Sequence, residues 1–181
     1  MKTLEDQMSF YAAYHQDARN KATHFVGVPM IVFSLLIPLG WLRADIAGVT
    51  MSAALVVTAI LLLYYLALDI PLGLAMGVVF ALMLWGADPL SQASLGVSLT
   101  WFLLLFAGGW ALQLWGHVYE GRKPALVDNL FQIFVAPIFL AAEAFFALGY
   151  KPPLHAAVQR RALEMRARAG IQHGSGTLKS A

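Results

Sequence analysis

The chain has 181 residues, of which 60% are hydrophobic and only 12% are charged. A soluble domain usually carries about 25% charged residues, so this composition argues against a soluble globular fold and excludes disordered and collagen-like classes. The formal net charge is +2, and the absence of Cys excludes disulfides, thiolate metal sites and Fe–S clusters. Only nine charged residues lie between residues 22 and 150. The middle of the chain is therefore expected to lie in a membrane.

A short polar segment precedes the apolar region. Thr3 and Asp6 resemble a capping pair and predict an N-terminal helix. The chain then contains four runs without Asp, Glu, Lys or Arg, at residues 22–42, 46–68, 70–87 and 89–119. Each run is close to or above the length of about 20 residues that an α-helix needs to cross a bilayer. Because lipid offers the backbone no hydrogen bonds, these runs are predicted to be helices.

The breaks between the runs are short. They fall at residues 43–45, at Asp69 before Pro71, and at Asp88 before Pro89. We expect tight turns between antiparallel helices at all three places, since proline opposes a continuing helix.

A fifth apolar segment, residues 129–142, is shorter and contains Pro137. It is either a kinked span or a shallow or re-entrant helix. Four spans keep the arginines of residues 160–168 on the cytoplasmic side with the other basic segments, whereas five would not. We therefore predict an all-α, polytopic membrane bundle of four spans with a partial or re-entrant fifth helix. Residues 1–153 form the membrane domain, and residues 154–181 form a basic amphipathic helix with a flexible tail.

Polar side chains cluster at one predicted membrane face. His15 and His24 flank the start of the first span, and His117 and Glu120 end the fourth. Gln113, His117 and Glu120 have the i, i+4, i+7 spacing of one helix face. His15 and His24 would point to opposite sides of one continuous helix, so a shared site requires a bend between them.

Imidazoles are common ligands for Zn, Fe, Cu and Ni, and a mixed shell of His and carboxylate with open positions suits non-haem Fe(II). From spacing alone, a metal site and ordinary hydrogen-bonded histidines both remain open. His155 and His173 are interpreted as ordinary histidines. Asp128, Gln132 and Glu143 share one face if the fifth segment is helical. They either support the site or satisfy one another within the bundle.

Two stretches of the chain form a recognisable pattern. The first contains Phe10-Tyr11-Ala12-Ala13-Tyr14-His15, then Asn20, His24 and Val28-Pro29. The second contains Gly109-Trp110, Gln113, Gly116-His117, Glu120, Arg122, Pro124-Ala125-Leu126-Val127-Asp128-Asn129-Leu130 and Gln132. Together they resemble the yeast 2-hydroxy fatty acid dioxygenase family, with a similarity that covers about residues 9–153.

This resemblance implies a membrane-embedded, Fe(II)-dependent dioxygenase that uses O₂ to shorten 2-hydroxy fatty acids by one carbon. The implied metal ligands are His15, His24 and His117. The implied catalytic residues are Glu120, Asp128, Asn129 and Gln132. Substrate binding is assigned to Arg122, Lys123, Asn20 and Gln113, with Glu143 in a supporting position. The expected location is a bacterial inner membrane, with the endoplasmic reticulum as the alternative and the active site facing the cytoplasm.

Other functions compete with the dioxygenase. A metal-free lipid-binding or transport protein would use the histidines only to end its spans, although the chain has no repeat pair of the transporter kind. A zinc hydrolase would keep the metal site and change the reaction. Metal analysis and a requirement for O₂ distinguish these functions.

Overall fold

The computed structural model describes the backbone of residues 2–177 and the side chains of residues 2–169. Within that part the chain is helical apart from one small hairpin, which confirms the all-α class. The elements are α1 (Leu4–Ala12), α2 (Ala18–Trp41), β1 (Arg43–Ile46), β2 (Val49–Ser52), α3 (Ala53–Leu68), α4 (Ile70–Ser91), α5 (Leu95–Glu120), α6 (Ala125–Asp128), α7 (Gln132–Ala147) and α8 (Pro152–Thr177).

Helices α2, α4 and α5 are long and apolar enough to cross a membrane. Many of their large apolar side chains point outward, including Trp85, Leu82 and Val118. Large apolar outer surfaces mark contacts with lipid or with other proteins, and this one fits a membrane. Helices α3 and α7 are also apolar but have 16 residues each, which corresponds to about 24 Å of helix. By length and composition, three helices therefore qualify as spans, where four were predicted.

The predicted turn at Asp69 is present. The Asp69 carboxylate accepts a hydrogen bond from the Leu72 backbone N–H at 3.1 Å and caps α4. The predicted turn at residues 43–45 is wrong, because the chain forms an antiparallel hairpin of β1 and β2 there. Ala47 and Gly48 have φ of 52° and 81°, the left-handed conformations that a two-residue hairpin loop requires. Helix α3 consequently begins at Ala53.

The predicted turn at Asp88 is also wrong. Helix α4 continues through Pro89 to Ser91, and α5 starts at Leu95. Pro89 removes the one hydrogen bond that an N–H at this position would donate to the residue-85 carbonyl, and the helix ends two residues later. Asp88 instead pairs with Arg43 at 2.6 Å and ties the hairpin to the end of α4.

Helices α2 and α5 run antiparallel at very close range. A Cβ added to Gly27 would lie 2.9 Å from the Gly109 carbonyl oxygen. A Cβ added to Gly116 would lie 2.2 Å from Thr23 Oγ1 and 2.5 Å from Asn20 Oδ1. Small residues allow helix backbones to approach in this way within a membrane. The contact aligns the first turns of α2 with the last turns of α5.

Helices α1, α7 and α8 cover this same end of the bundle. The predicted Thr3–Asp6 capping box is present in α1. Phe131, just before α7, packs on Tyr64 with ring centroids 5.6 Å apart. Beyond the end of α7, the Tyr150 hydroxyl donates to Asp69 at 3.1 Å. Since Tyr64 and Asp69 both lie at the end of α3, both ends of α7 reach the same end of the bundle.

Candidate metal centre

Three histidines meet where α1, α2 and α5 converge. The ring centroids lie 4.5 Å apart for His15 and His24, 5.0 Å for His15 and His117, and 5.1 Å for His24 and His117. All three side chains are buried. One ring nitrogen from each lies within 4.8 Å of the others, and this is the group of described residues able to hold a metal ion. The structure thus brings together the three histidines that the sequence analysis selected.

The expected bend between His15 and His24 is present. Helix α1 ends at Ala12, and α2 begins at Ala18 after Asp17, whose carboxylate caps it by accepting from the Arg19 N–H at 2.8 Å. The change of direction lets His15 face back towards the first turns of α2.

The hydrogen bonds of two histidines fix which nitrogen faces the centre. His15 Nδ1 lies 2.8 Å from the Tyr11 carbonyl oxygen, and His24 Nδ1 lies 2.9 Å from that of Asn20. A carbonyl oxygen only accepts, so each Nδ1 carries the hydrogen and each Nε2 of the neutral ring carries a lone pair. The two Nε2 atoms are 3.1 Å apart. Two lone pairs at this distance repel each other unless a proton or a metal cation lies between them.

This arrangement fits a bound metal. With metal–nitrogen bonds of about 2.1 Å, two ligand nitrogens lie about 3.0 Å apart at a right angle and about 3.4 Å apart at a tetrahedral angle. The observed separation of 3.1 Å falls in this range. The third histidine, His117, has a buried Nδ1 without a hydrogen-bond partner in the described part of the chain. The donor set is therefore that of a divalent transition metal.

The environment keeps His15 in the form that binds metals. Burial, and then the imidazole of His24 beside it, hold the pKa of His15 well below its ordinary value. The Tyr11 ring stacks on His15, with centroids 4.1 Å apart and planes 6° from parallel. Burial also raises the pKa of Tyr11, so its hydroxyl stays protonated. A neutral imidazole and a neutral phenol thus form one wall of the centre.

Glu120 anchors the centre from outside the histidine group. Its side chain is 1% exposed, and Arg166 of α8 pairs with its Oε1. Its Oε2 accepts three hydrogen bonds, from Gln16 N at 2.9 Å, Asp17 N at 2.8 Å and Asn20 Nδ2 at 3.1 Å. These contacts occupy both oxygens and join the end of α5 to the loop that carries His15. Glu120 is not part of the group that could hold a metal.

An apolar cavity of about 300 Å³ opens from the histidines into the bundle. Along α2 its lining extends from His24 to Leu39, which corresponds to about 22 Å of helix. Helix α3 contributes residues such as Val57 and Leu61 to the wall. No charged side chain of the described residues lines it, and its polar lining besides the histidines consists of Tyr11, Thr58, Gln113 and Gln132. The cavity is suited to a hydrocarbon chain whose polar end lies at the histidines.

A family model described as 2-hydroxy-palmitic acid dioxygenase Mpo1-like matches residues 1–148. The chain belongs to this Mpo1-like family. The 2-hydroxy-palmitic acid dioxygenase MPO1 of Saccharomyces cerevisiae is 37% identical to it over 160 residues, which cover 86% of this chain and 87% of the yeast protein. No solved structure matches the chain. The family confirms the resemblance drawn from the two sequence stretches.

The Mpo1-like match contains the whole histidine cluster and its nearest neighbours. His15, His24, His117 and Glu120 all lie within residues 1–148, whereas Arg166, which pairs with Glu120, lies outside them. The ion pair between α8 and Glu120 therefore involves a residue outside the part of the chain that the family model matches.

The two basic residues assigned to the substrate carboxylate do not line the cavity. Lys123 pairs with Asp128 at 2.5 Å, and Asp128 also accepts from the Tyr14 hydroxyl at 2.6 Å. Burial and the bond to Asp128 raise the pKa of Tyr14 to about 12. Arg122 is half-buried and also lies outside the lining. Since Asp128 already neutralises Lys123, these residues form a surface network beside the site.

Three of the remaining predicted residues, Asn129, Glu143 and Asn20, have partners of their own. Asn129 Oδ1 accepts from the Phe131 N–H at 3.1 Å, which separates α6 from α7. Asp128 therefore does not share a helix with Gln132 and Glu143, contrary to the single face predicted for the three. The three residues do not satisfy one another either, because Glu143 pairs with Lys21 at 2.6 Å. Asn20 bonds to Glu120 and to the Tyr14 carbonyl oxygen and does not line the cavity.

His155 lies apart from the cluster. The ring of His155 stacks on Phe146 with centroids 4.7 Å apart, and the side chain of His173 lies outside the described residues. The sequence analysis gave no role to Tyr11 or Arg166. The i, i+4 spacing of Tyr11 and His15 was a usable signal for the former, whereas nothing near Arg166 pointed to Glu120.

Proposed function

We propose that this protein is an Fe(II)-dependent dioxygenase that α-oxidises 2-hydroxy fatty acids to acids one carbon shorter. The observation that carries the proposal is the meeting of His15, His24 and His117 at the end of an apolar cavity. The yeast relative at 37% identity is a 2-hydroxy-palmitic acid dioxygenase, which supports the same chemical class here.

In this proposal the three histidines hold Fe(II), which supplies the redox chemistry that makes O₂ reactive towards the substrate. The hydroxyl and carboxylate of the substrate lie beside the histidines, and its acyl chain fills the cavity along α2. The apolar lining excludes water from the polar end of the substrate. Glu120 holds the His15 loop against α5 and thereby keeps His15 close to His117.

The overall reaction balances with O₂ as the oxidant. The 2-hydroxy acid and one O₂ give the shortened acid, CO₂ and water. The bond between C1 and C2 breaks, C1 leaves as CO₂, and C2 is oxidised from an alcohol to a carboxylate carbon. O₂ accepts the four electrons that this oxidation releases.

The membrane arrangement is also a proposal. We infer four spans, α2 to α5, with α7 lying against one end of the bundle, because both of its ends reach the end of α3. The histidines lie at the end that carries α8 and its arginines, which favours a cytoplasmic active site under the positive-inside rule. In a bacterium this corresponds to the inner membrane, and in a eukaryote to the endoplasmic reticulum.

The test is anaerobic reconstitution of the detergent-purified protein with Fe(II), followed by exposure to air with 2-hydroxypalmitate labelled with ¹³C at C1 or at C2. We expect pentadecanoate that keeps the C2 label, and CO₂ that carries the C1 label. A chelator should abolish both products, as should His117→Ala. Substrate that binds without reacting in the iron-loaded protein would refute the proposal and favour a lipid-binding function. Activity with Zn²⁺ in the absence of O₂ would favour a hydrolase.

A further inference from the structure

We infer that two neutral amides in the cavity recognise the polar end of the substrate, with Gln113 donating to the carboxylate and Gln132 accepting from the 2-hydroxyl. This inference rests on the proposed function, because it assumes a 2-hydroxy acid as the ligand. It assigns the selection of hydroxylated over plain fatty acids to a side chain of the protein, independently of a metal.

Both amides line the cavity that also contains the histidines, and each has an unused polar atom. Gln113 and Gln132 line the same cavity as His15, His24 and His117 and are 6% and 1% exposed. Gln113 Nε2 and Gln132 Oε1 have no hydrogen-bond partner among the described residues. Buried polar atoms are nearly always paired in folded proteins. Two unpaired polar atoms in the lining of one cavity therefore indicate a polar ligand that forms hydrogen bonds with both.

Position and orientation give the two amides different roles. Gln113 lies one helical turn from His117 on α5, so both side chains share one face. Gln132 begins α7, and its Nε2 turns towards Gln7 Oε1 at 3.5 Å, while Gln7 Nε2 donates to the Tyr64 hydroxyl at 3.0 Å. This chain of hydrogen bonds leaves the Oε1 of Gln132 as the free atom. One amide thus offers a donor and the other an acceptor.

A 2-hydroxy acid offers the complementary set. Its carboxylate only accepts hydrogen bonds, and its hydroxyl has a hydrogen to donate. Palmitate lacks the hydroxyl and would leave Gln132 Oε1 unpaired, as it is without a ligand. Because no cation among the described residues lines the cavity, the carboxylate has to be met by neutral donors, and the Gln113 amide is the buried one without a partner.

The experiment measures equilibrium binding of palmitate and 2-hydroxypalmitate to the metal-free, detergent-purified protein. One neutral hydrogen bond predicts a preference of roughly tenfold for 2-hydroxypalmitate in the natural protein. Gln132→Met keeps the side-chain length without the acceptor and should remove this preference while leaving the affinity for palmitate unchanged. Gln113→Met should weaken both ligands equally, by roughly ten- to a hundredfold, and keep the preference. The exposed Gln92 at the other end of the bundle provides the matched control, since Gln92→Met should change neither affinity.

Two results would overturn the inference. A metal-free natural protein without preference would assign the selection to the iron, and a Gln132→Met variant that keeps the preference would assign it to another group. If Gln132→Met does not fold, Gln132→Glu retains an acceptor at the same position and should keep the preference at lower total affinity. Loss of preference in folded Gln132→Glu would equally refute the role. Failure of the proposed function is distinguishable, because it appears as absent turnover in the iron-loaded natural protein.

Discussion

Replacing Glu120 with Gln tests whether this carboxylate organises the metal centre without binding the metal. The side chain is 1% exposed, pairs with Arg166 and accepts hydrogen bonds from the loop after His15. The amide keeps one acceptor oxygen, which can still serve the loop. It loses the negative charge and presents a donor towards the arginine.

The expected loss of stability follows from these contacts. Removing one partner of a buried ion pair costs about 3–5 kcal/mol, because the remaining charge is left uncompensated. The Arg166 side chain is 27% exposed and can recover part of its hydration, so we expect the lower limit of about 3 kcal/mol. Loosening of the His15 loop should also weaken metal binding by about 10- to 100-fold, the usual effect of losing a group that orients a metal ligand.

Denaturant unfolding in detergent measures the first effect, and competition with a chelator of known affinity measures the second. Arg166→Gln should also lower stability, by at least as much, because it leaves the buried Glu120 carboxylate without its ion pair. It should also weaken metal binding, although Arg166 does not line the cavity. Glu164→Gln, an exposed change on the same helix, should change neither. The reasoning is refuted if Glu120→Gln abolishes metal binding while Arg166→Gln leaves it intact, since that result identifies Glu120 as a ligand.

Three further changes test the centre and the bundle. His24→Ala should abolish stoichiometric metal binding measured by elemental analysis, whereas His155→Ala should preserve it. Gly116→Ala should lower the free energy of unfolding by about 1–3 kcal/mol, because the added methyl group overpacks against α2. Gly77 has open space around it, so Gly77→Ala should leave the free energy of unfolding unchanged or raise it by up to about 1 kcal/mol. Burial opposes the charge of Asp69, but its lysine partner and other hydrogen bonds outweigh burial and lower its pKa. This carboxylate therefore stabilises the fold above the unfolded pKa of 3.8, and that contribution is lost as the pH falls through the lower folded pKa. Asp69→Asn should flatten the acid side of a thermal-stability profile, and an unchanged acid side would contradict this.

The meeting of the histidines was predictable because lipid constrains topology strongly. Apolar runs of span length must be helices, and antiparallel helices return the chain to the face where it started. That alone places His24 and His117 at one end of the bundle. The bend that brings in His15 was predictable as well, since nine residues of continuous helix would have turned it away from His24.

The ends of the helices were less predictable, because a charge or a proline marks several structures equally well. Asp69 caps a helix, while Asp88 lies inside one and binds Arg43. The hairpin turn at Ala47 and Gly48 lacks the Asn-Gly or Asp-Gly pair that usually signals it. Its second strand, β2, lies at the start of an apolar run whose composition is equally typical of a span.

The roles of the carboxylates were the least predictable, because sequence spacing does not show which oxygens are already occupied. Glu120 lies on the same helix face as His117, yet backbone N–H groups one hundred residues away in the chain and an arginine from α8 take both of its oxygens. Asp128 is similarly occupied by Lys123 and Tyr14. Such partners come from long-range packing and leave no local pattern.

None of the described residues that line the cavity is charged, and there is a physical reason for this. The same reason supports the proposed recognition of the substrate by neutral groups. A lysine or arginine in an apolar cavity would need a permanent counter-ion whenever the cavity is empty, since an unpaired buried charge is very unfavourable. A neutral amide can remain buried and unpaired at a much smaller cost and still complete its hydrogen bonds when ligand arrives. Arg122 and Lys123, which lie outside the lining, avoid that penalty altogether. In the proposed recognition, selectivity for the 2-hydroxyl follows from where a lone amide oxygen is placed, and no fixed charge is required.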